Sequence, residues 1–237
     1  MNKPFRFKQF TVSQDRCAMK IGTDGVLLGA WTSLQHNPES ILDIGAGTGV
    51  IALQMAQRSD AELIDALEID HDAYEQCVEN FENSPWGDRL FCYHASLQEF
   101  ADEIEDKYDS IISNPPFFSE DYKTEDEARD KARFADALPF EHLVDGVSKL
   151  LSKKGLFSVI LPKKEEVAFT KLGEAKGLFP SRICNVKGTA STVTKRVMLE
   201  FSFEKGEIEE ETLIIEHSRH QYTDAYQALV KDFYLKM

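Results

Sequence analysis

Leu42-Asp43-Ile44-Gly45-Ala46-Gly47-Thr48-Gly49 is the stretch that decides the fold. Ahead of it, Ile41-Leu42-Asp43-Ile44 reads as a buried strand, and behind it Val50 to Gln57 reads as a helix. A strand, a glycine-rich turn and a helix in that order open a parallel α/β sheet. Glycine lets the backbone of such a turn approach a ligand with no Cβ in the way. Glu68 lies near the end of the next strand, Leu63 to Ile69. An acidic residue about 20 positions after the glycines can accept hydrogen bonds from both hydroxyls of a ribose. Together these features imply a cofactor that contains adenosine. Nicotinamide sites more often read GxGxxG, with a pyrophosphate at the helix amino terminus. Here the spacing is GxGxG preceded by Asp43.

Outward from this loop, apolar runs and amphipathic helices continue to alternate, the signature of an α/β sheet. Tyr74, Cys77, Val78 and Phe81 recur at helical spacing, and strands are expected at Arg89 to Tyr93 and Asp109 to Ser113. Phe140, Leu143, Val144, Val147, Leu150 and Leu151 mark another helix, with Gly155 ending it and a strand from Leu156 to Leu161. A basic helix and two or three strands follow Pro162, among them Val197 to Phe203 and Thr212 to Glu216, and a last helix covers about Asp224 to Tyr234. The charged stretch from Phe118 to Ala137 has a length at which loops serve as lids or binding loops or are disordered. The chain reads as a single domain over residues 1–237, with a short basic N-terminal extension over about residues 1–35.

With 42% hydrophobic and 29% charged residues the composition is that of a globular protein. No apolar run approaches the roughly 20 residues of a membrane span, and the amino end lacks the apolar core of a secretory signal. The four cysteines are scattered with no CxxC pair, which points to a reducing, cytoplasmic setting without a disulfide framework or zinc site. His217-Ser218-Arg219-His220 has HxxH spacing but no third ligand nearby, so no metal is expected. The net charge of −14 is unevenly spread: from Lys149 to Glu200 eleven Lys or Arg face four Glu. The first twenty residues hold Lys3, Arg6, Lys8, Arg16 and Lys20 against Asp15 alone. An acidic body with two basic segments can still meet phosphate, because screening confines the attraction to about 8–10 Å.

Ser113-Asn114-Pro115-Pro116-Phe117 follows directly on the strand that ends at Ser113. Two consecutive prolines cannot sit inside a ladder, and they stiffen the backbone into an extended turn. Such a turn aims the carbonyl of Pro115 and the side-chain oxygen of Asn114 into one small space. The exocyclic nitrogen of adenine, like an amide nitrogen, is a poor nucleophile because its lone pair is delocalised. Two acceptors holding its two hydrogens favour the form whose lone pair points at an incoming methyl group. Phe117 offers a face on which a flat target can stack, worth about 1–3 kcal/mol per base. The glycine loop, GxGxG after Asp43, resembles the first motif of class I S-adenosylmethionine-dependent methyltransferases, and the proline turn resembles the (Asn/Asp)-Pro-Pro-(Tyr/Phe) signature of amino-methyltransferases. That signature leaves the substrate open among DNA, rRNA and tRNA bases and a protein glutamine amide.

Three further segments narrow the resemblance. Gln14 to Trp31, Asn80 to Leu90 with its Ser84-Pro85-Trp86 turn, and Tyr222 to Lys236 are similar to segments of the bacterial tRNA1(Val) (adenine-37-N6)-methyltransferases. The resemblance implies a Rossmann-like class I fold, a seven-stranded, mostly parallel sheet with helices on both faces. It implies S-adenosyl-L-methionine as cofactor and the anticodon loop of tRNA as partner. Carried over by position, Asp43, Gly45, Gly47 and Gly49 would flank the cofactor, Glu68 would hold its ribose, Ile69 would pack on its adenine and Leu97 would also bind it. Lys20, Gly22 and Thr23 would sit near its methionine end, and Asn114, Pro115 and Phe117 would receive the target base. Where the family commonly has an acidic residue at the end of the third strand, the matching residue here is Ser96. Arg129, Lys131, Arg133, Lys195 and Arg196 are candidates for phosphate contact. Two other readings share these motifs: a protein-glutamine methyltransferase, and a non-catalytic RNA-binding module that retains the fold.

Overall fold

The computed structural model of the chain describes residues 3–116 and 138–237. Phe117, and Phe118 to Ala137 with Arg129, Lys131 and Arg133 among them, lie outside the described residues. A small hairpin of β1 (Phe5–Arg6) and β2 (Thr11–Val12) precedes helix α1 (Thr23–Trp31). The sheet is then laid down by β3 (Ser40–Ile44), β4 (Leu63–Glu68), β5 (Leu90–His94), β6 (Tyr108–Ser113) and β7 (Leu151–Pro162), all parallel. Between them run α2 (Val50–Arg58), α3 (His71–Glu82), α4 (Leu97–Glu103) and α5 (Phe140–Leu150). After α6 (Glu166–Ala175) come β8 (Phe179–Lys187), β9 (Arg196–Ser202) and β10 (Glu209–Ile214). A short hairpin of β11 (Glu216–Ser218) and β12 (Gln221–Tyr222) leads to α7 (Asp224–Val230).

The strand order is β10-β8-β9-β7-β6-β3-β4-β5. Seven of these strands give the expected sheet, with β9 antiparallel between β7 and β8. The eighth, β10, adds itself parallel to β8 along Arg182 to Lys187 and extends the edge. From β3 the chain winds first outward to β4 and β5, then returns to the other side of β3 for β6 and β7. The crevice between the carboxyl ends of β3 and β6 is therefore the topological switch point, where α/β sheets bind ligands.

Side chains alternate between two cores. Ile41, Ile64, Ile112 and Met198 join α1, α2, α3 and α7 on one face, while Leu42, Leu67, Ile111 and Leu199 join α4, α5 and α6 on the other. Several element ends differ from the sequence reading: β10 starts and ends earlier than Thr212 to Glu216, and two other differences have a visible cause. Helix α5 stops at Leu150, and Leu151 and Gly155 belong to β7. Tyr108 pairs with Leu151 but Ser110 with Leu156, so β7 bulges around Gly155, where a Cβ would stand 3.0 Å from the Asp109 carbonyl. The last helix ends at Val230, not near Tyr234, because the chain there turns to meet its own beginning. The Lys8 N–H donates to the Phe233 carbonyl at 2.8 Å, and Phe7 forms a bridge with Tyr234.

The basic N-terminal segment is built into the core by its apolar residues. Phe7, Phe10, Val12 and Cys17 are buried, and the rings of Phe5, Phe7, Phe10 and Tyr234 pack together. Truncating a buried aromatic ring costs about 3–5 kcal/mol. Phe7→Ala is expected to lower unfolding stability by about 3 kcal/mol in a denaturant titration. A loss below about 1 kcal/mol would mean that the two ends do not hold each other.

Candidate active site

The glycine loop leaves β3 at its carboxyl end and folds back on β4: the N–H groups of Gly45 and Ala46 both donate to the Leu67 carbonyl at 2.9 Å. Gly45, Gly47 and Gly49 all have positive φ, at 73°, 55° and 76°. Their surroundings divide them. A Cβ on Gly45 or Gly47 would meet nothing within 4 Å, whereas one on Gly49 would press into Phe81 at 2.5 Å and the Cys77 sulfur at 2.8 Å. The first two glycines front an open space; the third lets α2 seat against α3.

Asp43 is fully buried and serves the helix after the loop. Its Oδ2 accepts from the Ala52 N–H at 3.1 Å, in the first turn of α2, where Gly49 offers no capping side chain. Its Oδ1 has no hydrogen-bond partner among the described residues. Burial is the main cause that pushes its pKa up to about 7, with Glu68 adding to it.

Glu68 holds the loop from the neighbouring strand. Its Oε2 accepts from Gly47 N–H at 2.7 Å, and its Oε1 accepts from Ile69 and Asp70 N–H at 2.8 and 2.9 Å. A carboxylate has about four acceptor positions, so three backbone donors leave little unused. Burial raises the Glu68 pKa and those three N–H groups oppose the rise.

A strap from Ser13 to Ile21 closes one side of the cleft. Two polar residues on the buried face of α3, Gln76 and Asn80, hold it. Gln76 Oε1 accepts from the N–H groups of Asp15 and Arg16, each at 3.2 Å. Asn80 accepts from Ser13 N–H at 2.8 Å and donates to the carbonyls of Ser13 and Thr48, each at 2.9 Å. One amide thereby ties the strap to the glycine loop. Arg16 adds an ion pair to Glu79 at 2.9 Å, and Gln14 folds the strap on itself by accepting from Ile21 N–H.

Between strap and loops lies a cavity of about 310 Å³, at the lower end of the roughly 300–1,000 Å³ typical of small-molecule sites. Gly45, Gly47, Glu68, Ile69, Ser96 and Leu97 line it, as the sequence reading expects of residues at a cofactor. Ile69 is 53% exposed, an apolar side chain left bare at the lip. The strap contributes Cys17, Ala18 and Met19. Lys20, Gly22 and Thr23 lie just past them, exposed, at the start of α1. The Cys17 thiol is pushed up to about 12, first by burial and then by Glu68 and Asp70, so it stays protonated. Ser96 caps α4 in a reciprocal box with Glu99, its hydroxyl donating to Glu99 Oε2 at 2.7 Å and accepting from Glu99 N–H at 3.2 Å. One lone pair of that hydroxyl is left for a ligand. Asp70, Leu138, Pro139 and His142 also line the walls, and no motif in the sequence singled them out.

The Asn-Pro-Pro turn leaves β6 beside this cavity. Ser113 pairs with Ile44 across the two central strands, and its hydroxyl donates to the Ile44 carbonyl at 2.9 Å. Pro115 is buried, Pro116 reaches the cavity, and Asn114 stands against α1, where a Cβ on Gly25 would be 3.7 Å from its Nδ2. At the start of α1, Arg196 Nε donates to Asp24 Oδ2 at 2.8 Å, and Lys195 is exposed. His217 and His220 sit exposed in the β11–β12 hairpin, and no cluster of three potential metal ligands occurs among the described residues. No helix among them is long and apolar enough to cross a membrane.

Residues 22–161 match the family model of the methyltransferase small domain. The chain is 62% identical over 238 residues to a tRNA1(Val) (adenine(37)-N6)-methyltransferase of Christiangramia forsetii, covering 100% of this chain and 99% of that protein. It is also 62% identical over 234 residues to the protein of that name in Flavobacterium johnsoniae, covering 98% and 100%. The crystal structure of a predicted O-methyltransferase from Agrobacterium tumefaciens superposes with a TM-score of 0.67 at 16% identity, covering 89% of this chain and 96% of that one. At that identity the likeness speaks for the fold.

Two variants test this geometry. Folded Asp43 keeps its proton up to about 7 while the unfolded chain gives it up near 3.8, so this group makes wild-type stability fall as pH rises between those values. Asp43→Asn removes that dependence, and its stability relative to wild type is expected to improve by on the order of 1–4 kcal/mol from pH 4 to pH 8. Parallel stability–pH profiles would refute the assignment. Asn80→Ala frees the strap from the glycine loop, and S-adenosylmethionine affinity by calorimetry is expected to fall about tenfold, the scale of one lost buried hydrogen bond. Unchanged affinity in a variant that still folds would show that the strap is not part of the cofactor site.

Proposed function

The chain belongs to the family of tRNA1(Val) (adenine(37)-N6)-methyltransferases, and we propose that the cleft between its glycine loop and its Asn-Pro-Pro turn is where it works. Its reaction is the transfer of a methyl group from S-adenosylmethionine to the exocyclic N6 of adenine-37 in tRNA1(Val). The observation that carries the assignment of the site is the pairing of Ser113 with Ile44, which delivers both loops to one edge of the sheet.

The residues present fit the cofactor. Gly45 and Gly47 leave clear the space that Cβ atoms would fill, and Glu68 and Asp70 give the cavity negative charge suited to a cation. When bound, the cofactor supplies a sulfonium-activated methyl carbon. Glu68 would hold the ribose through the one acceptor position that its three backbone donors leave, Ile69 would pack on the adenine with Leu97 nearby, and Ser96 would offer its remaining lone pair at the adenine edge. The strap, with Lys20, Gly22 and Thr23 at its end, would lie at the methionine portion, and Asp43 keeps one oxygen unpaired beneath the loop.

On the substrate side, the side-chain oxygen of Asn114 and the carbonyl of Pro115 would accept the two hydrogens of the adenine amine. That localises the nitrogen lone pair for attack on the methyl carbon, and the surplus proton on nitrogen leaves to solvent afterwards. No general base is required. Phe117 would stack on the base once it is turned out of the anticodon loop. The chain would act as one catalytic domain, in the cytoplasm where its substrate is held.

With unmodified tRNA1(Val) and labelled S-adenosylmethionine, Asn114→Ala is expected to lower kcat by roughly 10²–10³, the scale of losing one pre-aimed polar group. Cofactor affinity should hold, and Asn114→Asp, which keeps an acceptor oxygen, should recover part of the rate. Full turnover in Asn114→Ala, or label that enters protein and not RNA, would overturn the reading.

A further inference from the structure

We propose that the rim formed by the ends of β7 and β8 and the start of β9 grips the RNA backbone flanking the target base, an inference that rests on tRNA being the substrate. Five basic residues converge there by register. Lys163 and Lys164 follow directly on Pro162 at the end of β7, Lys187 ends β8, and Lys195 and Arg196 lead into β9. Arg196 is the partner of both Pro162 and Val186, and the Lys163 N–H donates to the Lys195 carbonyl at 3.1 Å. This rim is joined to the proposed active site through two contacts: Arg196 to Asp24, and the adjoining Gly25 to Asn114.

The five differ in what else holds them. Arg196 is tied to Asp24 and Lys163 to Glu166, which makes them positioning residues for the rim. Lys187 donates to the Ala190 carbonyl at 3.1 Å, a neutral acceptor that leaves its charge uncompensated. Lys164 and Lys195 are exposed, and among the described residues no carboxylate lies within ion-pair distance of either. Other lysines of the basic segment are placed differently. Lys149 and Lys176 bind Asp145, and Lys153 and Lys154 lie at the opposite end of β7.

The β8–β9 turn between Lys187 and Lys195 suits the same partner. Thr189, Ser191 and Thr192 bring hydroxyls to it, and Val193 is 76% exposed at its tip. Hydroxyls and ammonium groups on a protruding turn are the groups that contact phosphate and sugar without reading sequence. The net charge of −14 does not oppose this, because charges beyond about 8–10 Å are screened from a phosphate at the rim.

The test compares Lys164→Glu/Lys195→Glu with a control of equal charge change, Lys153→Glu/Lys154→Glu, in methylation of unmodified tRNA1(Val). The rim variant is expected to raise KM for tRNA at least tenfold while kcat and S-adenosylmethionine affinity hold. Its log–log salt slope should shrink by roughly 1 per lost phosphate contact. The control should match wild type. A KM within twofold of wild type, or the same rise in the control, overturns the rim while leaving the methyltransferase reading intact. A wild-type chain that methylates no tRNA overturns that reading, and the rim with it.

Discussion

The parallel pairing of β3 with β6 is the constraint on which the cleft depends. Ile44 and Ser113 are partners at the carboxyl ends of the two central strands, and the Ser113 hydroxyl closes the gap with a bond to the Ile44 carbonyl. A glycine turn and a proline turn more than sixty residues apart in sequence thereby leave the sheet side by side. The pairing of β3 with β4 finishes the arrangement. Ile44 faces Leu67, so the next residue, Glu68, reaches the N–H of Gly47. A slip of one residue in either ladder would send these side chains to the opposite face of the sheet.

The sequence reading reached this arrangement because its decisive parts are local. GxGxG between an apolar run and a helical one, Asp43 before it and Glu68 after it constrain backbone conformation within a few residues of themselves. Two prolines after a strand do the same for Asn114. What escaped reading depends on distant partners. Gln76 and Asn80 look like ordinary polar positions on α3, yet each is buried and hydrogen-bonded to the N-terminal strap. The segment Ser96-Leu97-Gln98-Glu99 carries a local signal, the Ser-x-x-Glu spacing of a capping box, and the structure forms it. The bulge at Gly155 and the early end of α7 are set by Asp109 and Lys8, far away in sequence.

Asp43 illustrates how one residue type serves two ends. Read from sequence, Asp43 belongs to the glycine motif and would flank the cofactor. In the structure its first duty is to the backbone: it supplies the cap that Gly49, chosen for its left-handed φ and its fit against Phe81, has no side chain to give. The glycine that makes the turn possible thus creates the vacancy that the aspartate fills. The oxygen left over is buried and unpaired, and a buried acceptor without a donor is unfavourable by about 1–3 kcal/mol. Such a position is tolerated where something other than stability favours it, and a cationic cofactor above the loop is the natural reason.

Opposite charges have to be handled a short distance apart. The donor is cationic and the acceptor strand is a polyanion, so carboxylates that favour the first would repel the second if both were equally exposed. The structure separates them by burial. Glu68 is nearly covered and is held by three backbone N–H groups, so little of its charge faces the solvent that RNA approaches through. Lys164 and Lys195 of the rim stand in solvent, and the neighbouring Arg196 ties the rim to α1 through Asp24. Water screens charge beyond about 8–10 Å, while the low dielectric of the cleft preserves it at short range. An acidic protein can therefore act on RNA without a basic surface overall, provided that its few exposed lysines are gathered where the RNA backbone passes.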